Sequence, residues 1–265
     1  RPLFVLLIGS DAREDDGEDP TRTRADSIHI VSFDPATGRS AILGFPRDSW
    51  VDIPGFGTGK INGAMVDGGP DLVVQTVEQL TGITLDYWVL TSFKGFAGMI
   101  EDIGGLTIDV PFAMQDSYSG ADFQPGVQRL TGAQALAFGR DRHSIPSGDF
   151  GRSENQGRLM LAALAQLRQE FLDDPGTLLT YIAAGLRHTQ TSLPLDEILR
   201  LAFTVSKVDA TTVQNVVVPG VSAMAGSLSI VQLTSTAPTL YADMAADGVF
   251  DDANLPPSPT ASLIR

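Results

Sequence analysis

Short apolar runs alternate with helix-like spacing through the first part of the chain. Residues 3–8, 28–33 and 40–45 are rich in β-branched and other apolar side chains, which indicates buried strands. The second and third runs flank the turn-forming residues 34–38, so we expect them to form a hairpin. Strands interleaved with helices are typical of layered proteins, and this alternation predicts an α/β fold.

The other elements are predicted from apolar spacing and from glycine or proline stops. Further strands are expected at residues 51–53, 86–91, 106–110 and 213–218. Helices are expected at residues 72–80, 93–100, 131–138, 153–171, 177–187 and 194–206. Polar, turn-rich stretches predict loops at residues 115–129 and 139–152. We predict one domain over residues 1–250 and a flexible Pro- and Ser-rich tail at residues 251–265.

Composition limits the partners that the protein binds. The chain has 265 residues, 43% of them hydrophobic, and a formal net charge of −14. That size allows a large core, and the negative charge disfavours binding to nucleic acid. The absence of cysteine excludes disulfides, thiol catalysis and zinc–thiolate sites. Residues 3–8 are too short to span a membrane and no signal peptide is visible, so we expect the sequence to begin after a removed anchor.

Arginine accounts for 15 of the 18 basic residues. A GC-rich genome explains this bias as well as a phosphate site does, although arginine forks suit phosphate oxygens. The positions of the arginines are more informative than their number. Several stand at element ends or in Gly-rich turns, not on helix faces: Arg13, Arg22, Arg24, Arg47, Arg140, Arg142 and Arg152.

Two aspartates flank the ends of predicted strands. Asp11 follows the strand at residues 3–8, and Asp26 precedes the strand at residues 28–33. If these strands are neighbours, both carboxylates lie at one rim of the sheet, where α/β folds commonly bind ligands. Two carboxylates with spare water positions suit Mg²⁺ that is held jointly with phosphate oxygens. The alternative is that both aspartates only cap turns.

Three features of the later motifs carry further predictions. Arg140 and Arg142 have strand-like spacing, which places their side chains on one face. Arg152 is expected just before a helix N-terminus, where a bound anion would offset its charge. Gln156 has a second interpretation, because Ser153 and Gln156 match a capping box.

The histidines and serines match no familiar catalytic motif. His29 lies inside a predicted strand and is expected to be packed, whereas His143 lies in an arginine-rich loop and is placed to touch a ligand. The spacing of these residues and His188 gives no metal motif. No serine forms a nucleophile elbow and no P-loop occurs, so covalent serine chemistry and nucleotide hydrolysis are weakly supported.

An ordered set of motifs within residues 3–170 resembles the LytR-CpsA-Psr family. The motifs are Gly9-Ser10-Asp11 with Arg13, Arg24-Ala25-Asp26-Ser27, Pro46-Arg47-Asp48, Lys60-Ile61-Asn62, Gly68-Gly69-Pro70, Gly104-Gly105-Leu106, Leu130-Thr131-Gly132, Arg140-x-Arg142, and Asp149-Phe150-Gly151-Arg152 with Gln156. Each motif alone is weak, but the set in this order is highly specific. The sequence departs from the family at Asn155, where members often carry a further arginine before the glutamine.

The resemblance implies a three-layer α/β/α sandwich with a mixed central sheet and a deep apolar pocket for a polyprenyl chain. It implies a metal-dependent phosphotransferase that moves a glycopolymer phosphate from a polyprenyl-pyrophosphate carrier onto a muramic acid hydroxyl of peptidoglycan. Members are usually tethered by an N-terminal membrane helix. Membrane association through such a helix and action at the extracytoplasmic face of the cell membrane are therefore expected.

The resemblance also implies roles for single residues. Asp11 and Asp26 would hold Mg²⁺ or Mn²⁺ against the pyrophosphate. The pyrophosphate oxygens would be bound by Arg13, Arg24, Arg47, Lys60, Arg140, Arg142, Arg152 and Gln156. The catalytic set would be Asp11, Asp26, Arg24, Arg47 and Asp48, with Asp48 or a metal-bound aspartate as base for the acceptor hydroxyl.

Two predicted helices are candidates for lining the apolar pocket. They carry Leu72, Val73 and Val77 on one helix and Phe93, Phe96 and Ile100 on the other. Ordinary core packing is the alternative for each of these side chains.

Two other functions remain open from the sequence. One is a pyrophosphatase that hydrolyses the same lipid carrier, and the other is a noncatalytic module that binds polyprenyl phosphate or wall polymer. The pair Asp11 and Asp26 favours catalysis, because an anion binder gains nothing from carboxylates unless a metal joins them.

Overall fold

A six-stranded mixed sheet forms the centre of the computed structural model, which describes residues 1–13 and 17–264. The strands of this part of the chain are β1 (Leu3–Ser10), β2 (Ala25–Phe33), β3 (Ser40–Gly44), β4 (Trp50–Ile53), β5 (Gly57–Lys60), β6 (Tyr87–Ser92), β7 (Leu106–Val110), β8 (Met114–Asp116), β9 (Ala121–Phe123), β10 (Gly126–Leu130), β11 (Gln190–Thr191), β12 (Gln214–Val217), β13 (Gly220–Ala225) and β14 (Leu228–Leu233). The helices are α1 (Ala64–Thr81), α2 (Phe93–Asp102), α3 (Gly132–Arg140), α4 (Asp149–Asp173), α5 (Thr177–His188), α6 (Leu195–Val205) and α7 (Ala237–Asp247).

The directions of the strands gather several chain segments at one edge of this sheet. The strand order is β11-β6-β1-β2-β3-β12. β2 runs antiparallel to β1 and β3, whereas β6 is parallel to β1 and β12 is parallel to β3. The ends of β1, β3 and β6 therefore lie beside the start of β2. We call this edge of the sheet the site edge.

The two faces of the sheet are packed differently. Phe4, Leu6 and Ile8 of β1 enter a core that also contains side chains from α1 and α7. Burial of one such side chain contributes about 1.5–3 kcal/mol. Val5 and Leu7 point to the opposite face, as the alternation of a strand requires, and there they line a cavity. Helices cover both faces, which confirms the expected α/β/α layering.

A second core lies beside the sheet, among α2, α3, α4 and the antiparallel pair of β7 and β10. Leu106, Leu130 and Phe138 are its central buried side chains. Within the described residues, no helix combines the length and the apolar character needed to cross a bilayer.

Most predicted elements are confirmed to within a few residues, but the loop predicted at residues 115–129 is wrong. That segment contains β9, most of β10 and the last two residues of β8. In β8 and β9 a polar, exposed residue stands between two buried ones. Three-residue strands of this kind give too short an alternation to stand out from a loop.

The helix predicted from residue 153 begins earlier, at Asp149. Its N-cap is Gly148, whose φ of +55° favours glycine. Because the helix begins at Asp149, Arg152 lies inside its first turn and not before it. Ser153 is likewise a helical residue, which removes the capping-box interpretation of Gln156. The early turns escaped prediction because they bury polar side chains, among them Arg152, Ser153 and Glu154.

The predicted flexible tail is attached to α4 at two residues. Thr260 is fully buried, and both its N–H and its hydroxyl donate to Glu154 Oε2, at 3.0 and 2.8 Å. Ser258 Oγ donates to the other carboxylate oxygen of Glu154. Residues 258 and 260 of this segment thus satisfy a buried carboxylate of α4.

Two glycine-to-alanine changes test how closely the helices on the cavity side pack. A Cβ on Gly132 would lie 2.1 Å from the carbonyl oxygen of Ala97 in α2, whereas a Cβ on Gly185 in α5 would meet nothing within 4 Å. We expect Gly132→Ala to destabilise the protein by about 1–3 kcal/mol through overpacking. Gly185→Ala serves as the matched control and should stabilise it by up to about 1 kcal/mol through helix propensity. Urea unfolding measures both, and equal effects would contradict the close contact of α2 with α3.

Candidate functional site

A polar cleft of about 750 Å³ opens at the site edge of the sheet. It draws on segments far apart in the sequence: the ends of β1 and β3, the start of β2, the loop after α3 and the first turn of α4. The predicted site residues that line it are Asp11, Arg13, Arg24, Asp26, Arg47, Arg140, Arg142 and Arg152. Six arginines thus face one cavity in a protein whose net charge is −14.

Asp26 is the centre of an ion-pair network in this cleft. Arg47 Nη1 donates to Asp26 Oδ1, and Arg152 Nη1 lies 3.5 Å from the same oxygen. Arg152 Nη2 lies 3.1 Å from Asp149 Oδ1, which Arg142 Nη1 approaches to 3.6 Å. Asp26 and Arg152 are 6% and 4% exposed, so the centre of the network is almost fully removed from water.

Burial and nearby carboxylates have opposite effects on the pKa values of the arginines in the network. Burial alone would lower the pKa of Arg47, but the carboxylates of Asp26, Asp48 and Asp149 outweigh it and raise that pKa. In Arg152, burial prevails over the same kind of attraction and lowers the pKa. Guanidinium groups stay charged under either influence, so the cleft carries fixed positive charge.

Asp11 and Asp26 lie together, as the rim argument predicted. Asp11 Oδ1 accepts the N–H of Arg24 at 2.9 Å. Burial raises the pKa of Asp11, and the nearby Asp26 carboxylate adds to the rise, although the Arg24 N–H and the arginine charges oppose it. The Oδ2 atoms of both residues have no hydrogen-bond or ion-pair partner within the described chain.

The two free oxygens make this pair suitable for sharing a divalent cation with phosphate oxygens. No group of three or more His, Cys, Asp or Glu side chains arranged for a metal occurs among residues 1–13 and 17–264. Among these described residues, Asp11 and Asp26 are therefore the candidate ligands for a cation.

Arg140 and Arg142 share the cleft, but not through the strand-like alternation predicted for them. Arg140 ends α3, where a cation complements the helix dipole, and Arg142 lies in the following loop. The guanidinium carbon of Arg140 lies 4.5 Å from the centre of the Phe93 ring, a cation–π contact that fixes its position.

Three predicted site residues have other surroundings. Lys60 Nζ lies 3.0 Å from Asp48 Oδ2, Asn62 Nδ2 donates to Asp48 Oδ1 at 3.2 Å, and neither Asp48 nor Lys60 lines the cleft. Gln156 Nε2 donates to the carbonyl oxygens of Asp26 and Gly139, at 3.3 and 3.2 Å. Asp48 and Lys60 thus join β5 to the loop after β3, and Gln156 joins α4 to the start of β2.

An apolar cavity of about 590 Å³ lies behind the cleft, between the sheet and helices α2, α4, α5 and α6. Asp26, Phe93 and Arg140 line both the cavity and the cleft, so the two spaces meet at these side chains. The prediction is right for Phe93, Phe96 and Ile100, which line the cavity. It is wrong for Leu72, Val73 and Val77, which are packed in the core on the other face of the sheet.

The sequence interpretation missed two groups of lining residues. Asp116 and Tyr118 line the cleft from the segment that was predicted to be a loop. α5 and α6 form one wall of the cavity through side chains such as Leu178, Ile182 and Ile198. Their apolar spacing was visible in the sequence, but nothing in it indicated a cavity in place of a packed core.

His29 is packed in β2 as expected, directly behind the site edge. Its Nε2 lies 3.1 Å from the carbonyl oxygen of Ser153, and its Nδ1 lies 3.0 Å from Ser27 Oγ. A carbonyl only accepts, so Nε2 carries the proton and Ser27 donates to Nδ1. Complete burial lowers the pKa of His29 to about 4, which keeps the ring neutral at pH 7.

An arginine-rich cleft that continues into an apolar cavity defines a class of protein suited to a ligand with an anionic head and an apolar chain. The LytR_cpsA_psr family model matches residues 1–241, and the chain belongs to that family.

Individual relatives are similar over large parts of the chain. A polyisoprenyl-teichoic acid–peptidoglycan teichoic acid transferase TagU of Bacillus mycoides is 34% identical over 198 residues, which cover 74% of this chain and 62% of that protein. A probable cell wall biosynthesis protein LcpB of Corynebacterium glutamicum is 36% identical over 184 residues, 66% of this chain and 43% of that protein. This chain therefore spans less than two thirds of the length of either relative.

The fold is also that of a solved relative. The crystal structure of Bacillus subtilis TagV matches with a TM-score of 0.78 and 25% identity, over 95% of this chain and 98% of that one. The mixed sheet with helices on both faces is thus shared with a TagV protein.

Proposed function

We propose that this chain is a phosphotransferase that moves a glycopolymer phosphate from a polyprenyl-pyrophosphate carrier onto a hydroxyl of peptidoglycan. The observation that carries the proposal is the junction of the two spaces at Asp26, Phe93 and Arg140. A polyprenyl chain needs an apolar enclosure, and a pyrophosphate needs fixed cations. Because the cleft and the cavity meet at this junction, a single carrier molecule can place its pyrophosphate among the arginines and its polyprenyl chain in the cavity.

The arginines supply preset charge for the reaction. Attack by an alcohol on the pyrophosphate builds negative charge on the transferred and leaving phosphate oxygens. Arg24, Arg47 and Arg152 line the cleft from three different segments, and ion pairs with Asp26 and Asp149 hold Arg47 and Arg152 in place. Donors fixed before the reaction need no reorganisation when the charge develops.

Asp11 and Asp26 are the residues that would hold Mg²⁺ or Mn²⁺ at the mouth of the cavity. Each has one carboxylate oxygen without a described partner, and hard divalent cations prefer such oxygen ligands. A bound cation would neutralise charge on the bridging phosphate oxygens. The arginines of the cleft would orient the pyrophosphate, and the side chains of the cavity would enclose the lipid.

The names of the relatives support the same substrate class. TagU is named as a transferase of polyisoprenyl-linked teichoic acid to peptidoglycan, and LcpB as a probable cell wall biosynthesis protein. By extension we place the reaction of this chain at the extracytoplasmic face of the membrane, where lipid carrier and peptidoglycan meet. Tethering by a membrane helix outside this sequence is part of the same proposal.

A reconstituted transfer reaction tests the proposal. Purified protein, a polyprenyl-pyrophosphate-linked glycan, Mg²⁺ and peptidoglycan fragments should yield polyprenyl phosphate and a glycan phosphate joined to peptidoglycan, identified by mass spectrometry. EDTA should abolish the product. Gly185→Leu, which adds volume where a Cβ meets open space, should raise the KM for the carrier about tenfold or more, because the chain loses room in the cavity.

The controls separate this function from its rivals. Gly63→Leu is the matched glycine change outside the cavity, where a Cβ also meets nothing within 4 Å, and it should leave KM unchanged. Release of free glycan phosphate at the same rate without peptidoglycan would indicate a pyrophosphatase. Carrier binding without turnover would indicate a binding module. Either result contradicts the proposal.

A further inference from the structure

His143 and Asp116 form a carboxylate–imidazole pair at the side of the cleft. Asp116 Oδ2 lies 3.0 Å from Nδ1 of His143, and both residues line the cleft. Asp116 is 3% exposed, whereas the side chain of His143 is 47% exposed. A buried carboxylate thus supports an imidazole that faces open space. The sequence brings them together from β8 and from the loop after α3.

Asp116 is held in its charged form. Burial would raise its pKa, but hydrogen bonds from His143 Nδ1 and from the N–H groups of Tyr118, Arg142 and His143 prevail and hold the pKa well below its usual range. An ionised carboxylate only accepts, so Nδ1 of His143 is the protonated nitrogen. In the neutral ring Nε2 then carries the free lone pair.

The orientation of the ring is fixed by a second contact. Tyr118 packs against His143 with ring centroids 4.6 Å apart and planes tilted by 34°. Nε2 has no hydrogen-bond partner among the residues that the structure describes. The ring is therefore held on one side by Asp116 and packed by Tyr118, while its basic nitrogen remains available.

The carboxylates at or near the cleft already have partners, and the one oxygen that Asp11 and Asp26 each leave free would serve a cation. Asp26 pairs with Arg47 and Arg152, and Asp11 accepts the N–H of Arg24. Glu18 accepts the N–H of Arg13 at 2.7 Å. Asp48 pairs with Lys60 and lies outside the cleft lining. A carboxylate that holds a divalent cation would be a weak base, whereas an imidazole held by a carboxylate is a common general base.

We propose that His143 is the general base of the transfer reaction and that Asp116 is its positioning residue. This role rests on the proposed function. As the acceptor oxygen forms its bond to the phosphorus of the glycan phosphate, its proton passes to Nε2 of His143. The bond from that phosphorus to the bridging oxygen breaks, and polyprenyl phosphate leaves with the electron pair. The imidazolium, stabilised by Asp116, then returns the proton to water.

Substitution of His143 with chemical rescue tests this role. His143→Ala should lower kcat for transfer by about 10²–10⁴-fold, with little change in the KM for the carrier. Added imidazole should restore part of that loss, because the alanine leaves space beside an exposed position. Asp116→Asn should also lower kcat, but imidazole should not restore it, because His143 still occupies the place.

His188→Ala is the matched control. His188 Nε2 lies 2.9 Å from Asp102 Oδ2, a similar pair outside the cleft and cavity linings, and its replacement should leave kcat unchanged. Equal kcat in wild type and His143→Ala would overturn the base role and leave the proposed function intact. Loss of carrier binding in His143→Ala without imidazole rescue would overturn it in favour of a structural role. Carrier binding without transfer in wild type would overturn the proposed function itself.

Discussion

Arg152→Ala is expected to destabilise the protein by roughly 3–5 kcal/mol and to abolish transfer. Arg152 is 4% exposed and lies between Asp26 and Asp149, at 3.5 and 3.1 Å. Its removal leaves two largely buried carboxylates with less compensation, and a buried charge that loses its partner is strongly unfavourable. Urea unfolding at pH 7, with transfer measured on the folded fraction, checks both effects.

Arg142→Ala separates stability from catalysis in the same network. Arg142 also approaches Asp149, at 3.6 Å, but 41% of its side chain is exposed to water. Solvent screening limits its contribution to stability to no more than about 1 kcal/mol. Its loss should still reduce transfer by about 10²–10³-fold if it contacts developing charge. If the two substitutions lowered the free energy of unfolding equally, burial of Arg152 would not explain its contribution to stability.

Periodicity predicted the parts of the fold in which one face is consistently apolar. β2, β3 and β7 were predicted from apolar runs, and α5 and α6 from helical spacing. Periodicity identifies a buried face without saying which layer buries it. Leu72 and Val77 on α1 and Phe96 on α2 follow the same rule, yet they lie on opposite faces of the sheet. Only the strand order decides that difference.

The site was predictable where it depends on chain direction. Asp11 directly follows β1 and Asp26 is the second residue of its antiparallel neighbour β2, so adjacent strands bring them to one edge. Arg47 reaches the same edge because β3 is antiparallel to β2. Successive side chains then diverge: Arg47 enters the cleft, while Asp48 turns away to Lys60. A sequence motif that contains both residues does not show which of them faces the cleft, whereas the contacts in the folded chain do.

The side of the cleft formed by Asp116 and Tyr118 was not predictable by the same means. Both residues lie in or directly after a three-residue strand within a polar segment, where neither alternation nor helical spacing gives a signal. Asp116 is buried because it satisfies three N–H groups and one imidazole, at Tyr118, Arg142 and His143. Most of these hydrogen-bond donors belong to the loop after α3, which is far from β8 in the sequence. The reason for burying Asp116 is therefore visible only in the folded chain, where the two segments are in contact.

His29→Leu is expected to flatten the loss of stability on acidification between pH 6.5 and pH 4. The ring is completely buried and its pKa falls from 6.5 to about 4 in the folded protein. The unfolded chain therefore binds a proton that the folded protein refuses, and the free energy of unfolding decreases as the pH falls through this window. At 1.36 kcal/mol per pH unit, His29 accounts for roughly 3 kcal/mol of that decrease.

Leucine at position 29 removes the titrating group, although it also leaves the carbonyl oxygen of Ser153 and the hydroxyl of Ser27 without their partner. Stability at pH 7 should therefore fall, while its slope against pH becomes shallower. Asp116 acts in a different window, because its lowered pKa adds stability that is lost only below about pH 4. Urea unfolding of wild type, His29→Leu and the control His188→Gln at half-unit steps from pH 7 to pH 2 resolves these contributions. An unchanged slope above pH 4 in His29→Leu would contradict this account, because it would mean that His29 of the wild-type protein takes up its proton in the folded state as readily as in the unfolded one. A charged ring at this buried position would need a counter-charge, and neither Ser27 nor the Ser153 carbonyl supplies one.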